Sequence, residues 1–143
     1  MSTRRFRVCA PIVVAAFGAL SLVSTATLAQ TATPERAAVD RGKAMFRESC
    51  AACHGANGKG DGPASDAMKR RPTNLTTLAR QQGGFRASEL EASIKGTSQV
   101  VAHGSPGMMV WGAFFLADAN GNQARADARI SDLVAFIESI QVK

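Results

Sequence analysis

The run ESCAACHG, residues 48–55, decides how the rest of the chain is interpreted. It holds two cysteines three positions apart, Cys50 and Cys53, and His54 follows the second one directly. Positions three or four apart share one face of a helix, so one helical turn would bring the two thiols and the imidazole close together. This spacing is typical of covalent attachment of a c-type haem.

In such an attachment the thiols add across the two vinyl groups of one porphyrin, and the imidazole becomes the proximal iron ligand. The sequence thus predicts one haem c, bound through Cys50 and Cys53 and ligated by His54. A redox-active disulfide is a weaker alternative, because such sites sit at a strand-to-helix junction and no βαβ alternation is visible. A zinc site is another, with His103 as the only obvious fourth ligand.

The N-terminal segment predicts export to the periplasm. Residues 1–29 combine a basic start, a sixteen-residue apolar stretch over residues 8–23 and small residues before Ala29, which is the layout of a cleavable signal peptide. An uncleaved anchor is the alternative, although a membrane span needs roughly 17 to 25 residues. Residues 30–143 would then form one domain.

The charge of the chain is modest once this segment is removed. Three of the seventeen basic residues lie within the first seven positions, so the formal charge falls from +6 to +3 on cleavage. The chain carries no nucleic-acid-binding motif, and one Trp with no Tyr offers few stacking surfaces for bases. Nucleic acid is therefore not an expected partner.

The segment HGSPGMMVWG, which begins at His103, offers a sixth iron ligand. A thioether opposite the histidine favours the reduced iron and suits an electron carrier. Met108 is the preferred candidate, and Met109 and His103 are the alternatives. Met45 and Met68 lie in helix-like stretches and are expected to fill the core.

With these motifs on the chain, residues 36–142 resemble the class I monohaem cytochrome c family. The first helix of that family carries a glycine and an aromatic residue four apart, matched here by Gly42 and Phe46, and packs them against the last helix. The matching partners are Leu133 and Phe136. The resemblance implies an all-α fold with three to five helices around one haem.

Two helices are also predicted from the sequence pattern. Apolar residues recur every three to four positions over residues 130–140, which predicts a C-terminal helix with Asp127 as its cap. A shorter helix is expected to begin near Ala87 and end near Gly96, with Leu90 and Ile94 facing the core.

The resemblance assigns roles to the loops as well. The glycine-rich run after the haem motif is similar to a family loop in which the carbonyl of Pro63 would accept a hydrogen bond from the ring nitrogen of His54 that does not bind iron. The following PTNL segment would cross one haem edge, where Thr73 or Asn74 would bind a propionate.

Basic residues precede the PTNL segment. Arg70 and Arg71 would place positive charge near the propionate, and a solvated surface turn is the alternative. Downstream, Trp111 would pack near the haem. Many relatives read Met-Pro-x-Trp-Gly here, and Met109 stands where that proline would be, so the identity of the sixth ligand is left open between the two methionines.

The function implied by the resemblance is electron transfer. We expect a shuttle, or the small cytochrome subunit of a periplasmic oxidoreductase, because no nucleophile or acid–base pair stands out. Its partners would be redox proteins that dock transiently, with Lys or Arg around the exposed haem edge, and the protein would be a monomer or a small subunit. A haem protein with an open sixth site, acting in gas binding or catalysis, is the alternative.

Overall fold

The computed structural model describes residues 32–97 and 108–142. Over these two ranges it contains six α-helices and no strand, and the helices are α1 (Pro34–Ser49), α2 (Ala51–His54), α3 (Leu78–Gln82), α4 (Ala87–Lys95), α5 (Trp111–Asp118) and α6 (Gln123–Ser139). The all-α prediction is confirmed. The count exceeds the expected three to five because α2 and α3 are single turns of four and five residues. The predicted signal peptide, its cleavage site and His103 lie outside the described residues.

Helix α1 begins with two local signals. Pro34 occupies its first turn, where a missing N–H costs nothing, and the hydroxyl of Thr33 accepts a hydrogen bond from the N–H of Arg36 at 3.3 Å. Glu35 in the same turn complements the positive end of the helix dipole. The helix buries one face, through Gly42 and Phe46.

Helix α6 begins four residues before the predicted cap. The side-chain oxygen of Asn122 accepts a hydrogen bond from the N–H of Arg125 at 3.0 Å and caps the helix, so the prediction of Asp127 as the cap is wrong. Asp127 lies one turn inside and forms an ion pair with Lys95 of α4 at 2.8 Å. The apolar repeat had marked only the buried part of the helix, which is preceded by a largely polar first turn.

The crossing of α1 and α6 is the most extensive contact between helices in the described part of the chain. A Cβ atom at Gly42 would collide with the carbonyl oxygen of Asp132, so only glycine allows this approach. The rings of Phe46 and Phe136 pack 5.2 Å apart, and Leu133 is fully buried beside them. The predicted packing of Gly42 and Phe46 against Leu133 and Phe136 is confirmed.

An ion pair reinforces this crossing on its outer side. The guanidinium of Arg41 makes two hydrogen bonds to the carboxylate of Asp132, at 2.6 and 2.8 Å. The hydrogen bond that Arg41 donates to Asp132 is the main cause that raises the pKa of Arg41 above its ordinary value. This two-point contact fixes the register of α1 against α6.

The shorter helices complete the core. Helix α4 ends at Gly96, whose φ of +76° suits glycine, and it buries Ile94 while Leu90 is half-buried, as predicted. Met45 packs against the core from α1. Met68, by contrast, follows the one-turn 3₁₀ helix Ser65–Ala67 in an extended conformation, so its predicted helical setting is wrong.

One further result concerns membranes. Within residues 32–97 and 108–142, no helix is both long and apolar enough to cross a bilayer.

Candidate functional site

A cavity of about 200 Å³ lies beside the α1–α6 crossing. A single water needs about 10–15 Å³ of such space, and protein interiors are otherwise close-packed, so this is a binding cavity and not a packing defect. Its wall is mainly apolar, including Leu75, Leu78, Phe85, Ile94, Trp111 and Ile137. A flat hydrophobic group the size of a porphyrin is the kind of ligand that such a wall suits.

The haem-attachment motif forms the one-turn helix α2. Cys50 ends α1 and starts α2, and its carbonyl accepts hydrogen bonds from the N–H groups of Cys53 and His54 at 3.1 and 2.9 Å. Gly55 stops the helix at a φ of +78°, where a Cβ atom would collide with the carboxylate of Asp61. The two cysteines and the histidine therefore lie within one helical turn, with Cys50 as its N-cap and Cys53 and His54 as its last two residues.

The two thiols are free, and neither takes part in a disulfide. Burial, with a smaller contribution from neighbouring Cys53, raises the pKa of Cys50 to about 11. In the described part of the chain, no three His, Cys, Asp or Glu side chains come together as a metal site.

His54 is held as a neutral imidazole. Its Nδ1 lies 3.0 Å from the carbonyl oxygen of Thr73, and because a carbonyl only accepts, Nδ1 carries the proton and donates. Burial lowers the pKa of His54, and this hydrogen bond opposes the shift in part. The remaining lone pair is on Nε2, which is the arrangement of a metal-binding histidine fixed by its second nitrogen.

The predicted role of Pro63 in this contact is therefore wrong. The glycine-rich loop folds back on α2, with the N–H groups of Gly60 and Gly62 donating to the carbonyls of His54 and Cys53 at 2.8 and 3.1 Å. Pro63 is exposed beyond these bonds. Gly60 lies against the backbone of Pro72, since a Cβ atom at Gly60 would collide with the carbonyl oxygen of Pro72. This close approach brings the residue after Pro72, Thr73, to the ring of His54.

The two candidates for a propionate contact are separated by the structure. Thr73 lies in the cavity wall, but Asn74 does not. The side-chain oxygen of Asn74 accepts hydrogen bonds from the N–H and the hydroxyl of Thr76, at 3.0 and 2.7 Å. It caps the 3₁₀ helix Leu75–Thr77, which is the role that asparagine often takes at a helix start.

The two adjacent methionines point to different places. Met108 is half-buried and lines the cavity together with Cys50, His54 and Trp111. Met109 is 64% exposed and lies on a second groove outside the cavity. Cys53 is half-buried but is not part of the cavity wall. The structure therefore brings together Cys50, His54, Met108 and Trp111 of the predicted site.

Sequence reasoning missed the charged pair in the cavity wall. Arg86 donates hydrogen bonds to Glu89 at 2.9 Å and to the carbonyl of Gln82 at 3.2 Å, and all three residues line the cavity. Arg70 and Arg71, the predicted cations, are exposed. The sequence did contain a signal for this pair. An arginine stands three residues before a glutamate at a predicted helix start, and residues with this spacing face the same side of a helix.

Comparison with known proteins identifies the family of the chain. The sequence model of the family described as Cytochrome c matches residues 39–141, which is most of the chain. No curated protein and no solved structure matches the chain significantly. The chain therefore belongs to the cytochrome c family, and it is a haem-binding electron-transfer protein.

Proposed function

We propose that this chain is a periplasmic electron carrier with a single haem c, joined by thioether bonds to Cys50 and Cys53 and ligated by His54 and Met108. The observation that carries the proposal is that His54 and Met108 line the same cavity although they belong to distant parts of the sequence. A histidine and a methionine are the ligand pair typical of electron-transfer haems.

The surrounding protein orients His54 to act as an iron ligand. The carbonyl of Thr73 holds the proton on Nδ1 and orients the ring, which leaves Nε2 to bind a metal. Burial lowers the pKa of His54, which favours the neutral imidazole that a metal ligand requires. When bound, the haem would supply a one-electron redox couple, and the hydrogen bond from Nδ1 would hold the imidazole ring in one orientation.

The methionine and the apolar wall set the reduction potential. A thioether is a soft, uncharged ligand and stabilises the reduced state. Apolar neighbours such as Phe85 and Trp111 keep water away, which also disfavours the state with the higher positive charge. Both effects favour a potential suited to an electron carrier and leave no easy access for an exogenous ligand.

The proposed location and partners rest on the sequence and the composition of the site. Residues 1–29 have the pattern of a cleaved export signal, and export suits a protein whose two remaining cysteines are used in thioether bonds.

The composition of the cavity favours electron transfer over catalysis. The hydroxyl of Ser93, which lines the cavity, donates to the carbonyl of Glu89 on its own helix at 2.9 Å, so its use is structural and not catalytic. We expect transient docking to redox proteins, as a free shuttle or as an oxidoreductase subunit.

Optical spectroscopy of the exported protein tests the proposal. Wild type should show covalent haem, a sulfur-to-iron charge-transfer band in the oxidised form and no binding of carbon monoxide. Met108→Ala should lose the band and bind carbon monoxide, whereas the matched control Met109→Ala should behave like wild type. Ready binding of carbon monoxide by the wild type would favour gas binding or catalysis, and the absence of covalent haem would refute the proposal.

A further inference from the structure

A second concave surface lies outside the haem cavity, between α1, α5 and α6. We call it the α5 groove, and its lining includes Met45, Glu48, Met109, Trp111, Phe114 and Arg129. We infer that this groove is the docking site of a redox partner protein that inserts an uncharged apolar side chain. The inference rests on the proposed electron-carrier function and names where a partner binds.

Helix α5 has more apolar surface than the rest of the described protein covers. The helix reads WGAFFLAD, and apolar residues occupy all its sides instead of one stripe. Phe115 is 2% exposed, but Phe114 on the other side is 52% exposed, with Met109 at 64% and Val110 at 55% just before the helix. A helix that is apolar all round is normally buried, and exposed apolar patches of this kind mark binding surfaces.

The α5 groove adjoins the haem cavity, which favours a redox partner as the protein that binds there. Trp111 lines both the haem cavity and the α5 groove, so the two sites share this residue. Phe114 packs edge-on against Trp111 with ring centroids 5.4 Å apart, and this aromatic pair leads from the cavity to the surface. Because electron tunnelling weakens exponentially with distance, a partner seated in the groove would be well placed for transfer.

The charge and the concave shape of the α5 groove favour a protein over a lipid surface. Asp118 and Arg129 form an ion pair at the groove, and the other charged lining residue is Glu48, so the lining is neutral to acidic. Surfaces that bind anionic lipid are rich in Lys and Arg, which does not describe this lining. A concave site also suits a protruding side chain better than a flat bilayer. A protein with an apolar, uncharged contact surface is the occupant that fits.

The transfer itself needs no bond chemistry. One electron leaves the reduced cytochrome, which becomes oxidised, and enters the metal centre of the partner, which is reduced by one electron. No proton or leaving group moves. Charged residues elsewhere on the surface would steer the encounter, and the groove would hold the complex.

Stopped-flow kinetics with holoprotein tests this inference. The probe is a blue-copper electron-transfer protein whose copper site opens on an uncharged apolar face, at about 0.5 M salt so that charge steering is screened. Phe114→Ser should lower the bimolecular rate constant about tenfold, as loss of an aromatic residue at an interface centre does, and Phe114→Leu should retain most of the rate. Val142→Ser, at another exposed apolar residue, is the matched control and should match wild type.

Ferricyanide separates this inference from the proposed function. It is a small anion that needs no docking groove, so wild type and all three variants should reduce it at rates within about twofold of one another. A Phe114→Ser variant that reacts normally with the copper protein would overturn the groove assignment. A wild-type dimer that this substitution dissociates, or wild-type binding to neutral phosphatidylcholine vesicles that it abolishes, would also overturn it. Wild type that transfers no electron even to ferricyanide would refute the proposed function itself.

Discussion

The α1–α6 crossing and the haem cavity are built in different ways. At the crossing, protein atoms meet protein atoms directly: Gly42 lies against the backbone of Asp132, and Phe46 packs on Phe136. Around the cavity, apolar side chains of α3, α4 and α5 border an open space of about 200 Å³. The first region is complete as a protein core, whereas the second is completed by its cofactor.

This difference indicates how stability is divided in the molecule. A domain of this size buries a limited core, and a covalently held cofactor that contacts the folded state adds its interactions to the free energy of folding. The crossing should therefore keep part of its stability without haem, and the cavity wall should lose most of its own.

The largest effect is expected when haem attachment is prevented. In a Cys50→Ala/Cys53→Ala double variant, amide hydrogen exchange in α3 and α4 should approach the rate of an unfolded chain, because residues of those helices line the cavity and would lose their contacts with the cofactor. Slower exchange should persist in α1 and α6. Wild-type holoprotein is the reference, measured by mass spectrometry. Uniform loss of protection in all four helices, or no loss in any, would contradict the contrast.

A smaller effect is expected from the charged pair in the cavity wall. Glu89→Gln removes a negative charge from the cavity wall and disfavours the more positive oxidised state, so it should raise the reduction potential by about 20–60 mV, where 59 mV corresponds to tenfold for one electron. Arg86→Gln should lower the potential by a similar amount. The control is Glu138→Gln on the exposed side of α6. Equal potentials for Glu89→Gln and the control in redox titration would place the pair outside the influence of the iron.

The smallest effect concerns the ion pair between α4 and α6. The hydrogen bond from Lys95 is the main cause that lowers the pKa of Asp127 below 3.8. A carboxyl group with a lowered pKa stabilises the fold above its ordinary pKa, and this contribution is lost as the pH falls through the lowered value.

The measurement is urea unfolding of wild type and Asp127→Asn as a function of pH. The difference in unfolding free energy should be small and constant from pH 7 to about 5, and it should vanish below the lowered pKa of Asp127. Asp66→Asn is the control, because its contact with Arg71 is longer, at 3.6 Å, and fully at the surface. A difference between wild type and Asp127→Asn that grows as the pH falls would contradict this sign.

Much of the fold could be predicted because its signals are local. The spacing of Cys50, Cys53 and His54 within one turn, and of Gly42 and Phe46 along one face, follows from helix geometry alone. The start of α6 was misplaced because its cap, Asn122, precedes a polar first turn that carries no apolar repeat. Periodicity reports the buried part of a helix and not its solvated end.

The errors in the site have a different origin, since they depend on the path of loops. The partner of His54 is Thr73, nineteen positions away, because the close approach of Gly60 to Pro72 sets where the chain passes. Asn74 was assigned to the haem but is used to cap a 3₁₀ helix, a local hydrogen bond that competes with any distant one. Family patterns name the residues near a haem, and only the fold shows which atom of which residue faces it.

The most direct test of the account is proton NMR of the reduced holoprotein, with methionine methyl groups selectively labelled. A methionine bound to haem iron lies above the ring, so its methyl resonance is shifted far upfield by the ring current. We predict one such resonance, lost in Met108→Leu and retained in Met109→Leu. If no methyl resonance is shifted, or if the shifted one disappears only in Met109→Leu, the assignment of His54 and Met108 as the iron ligands is wrong.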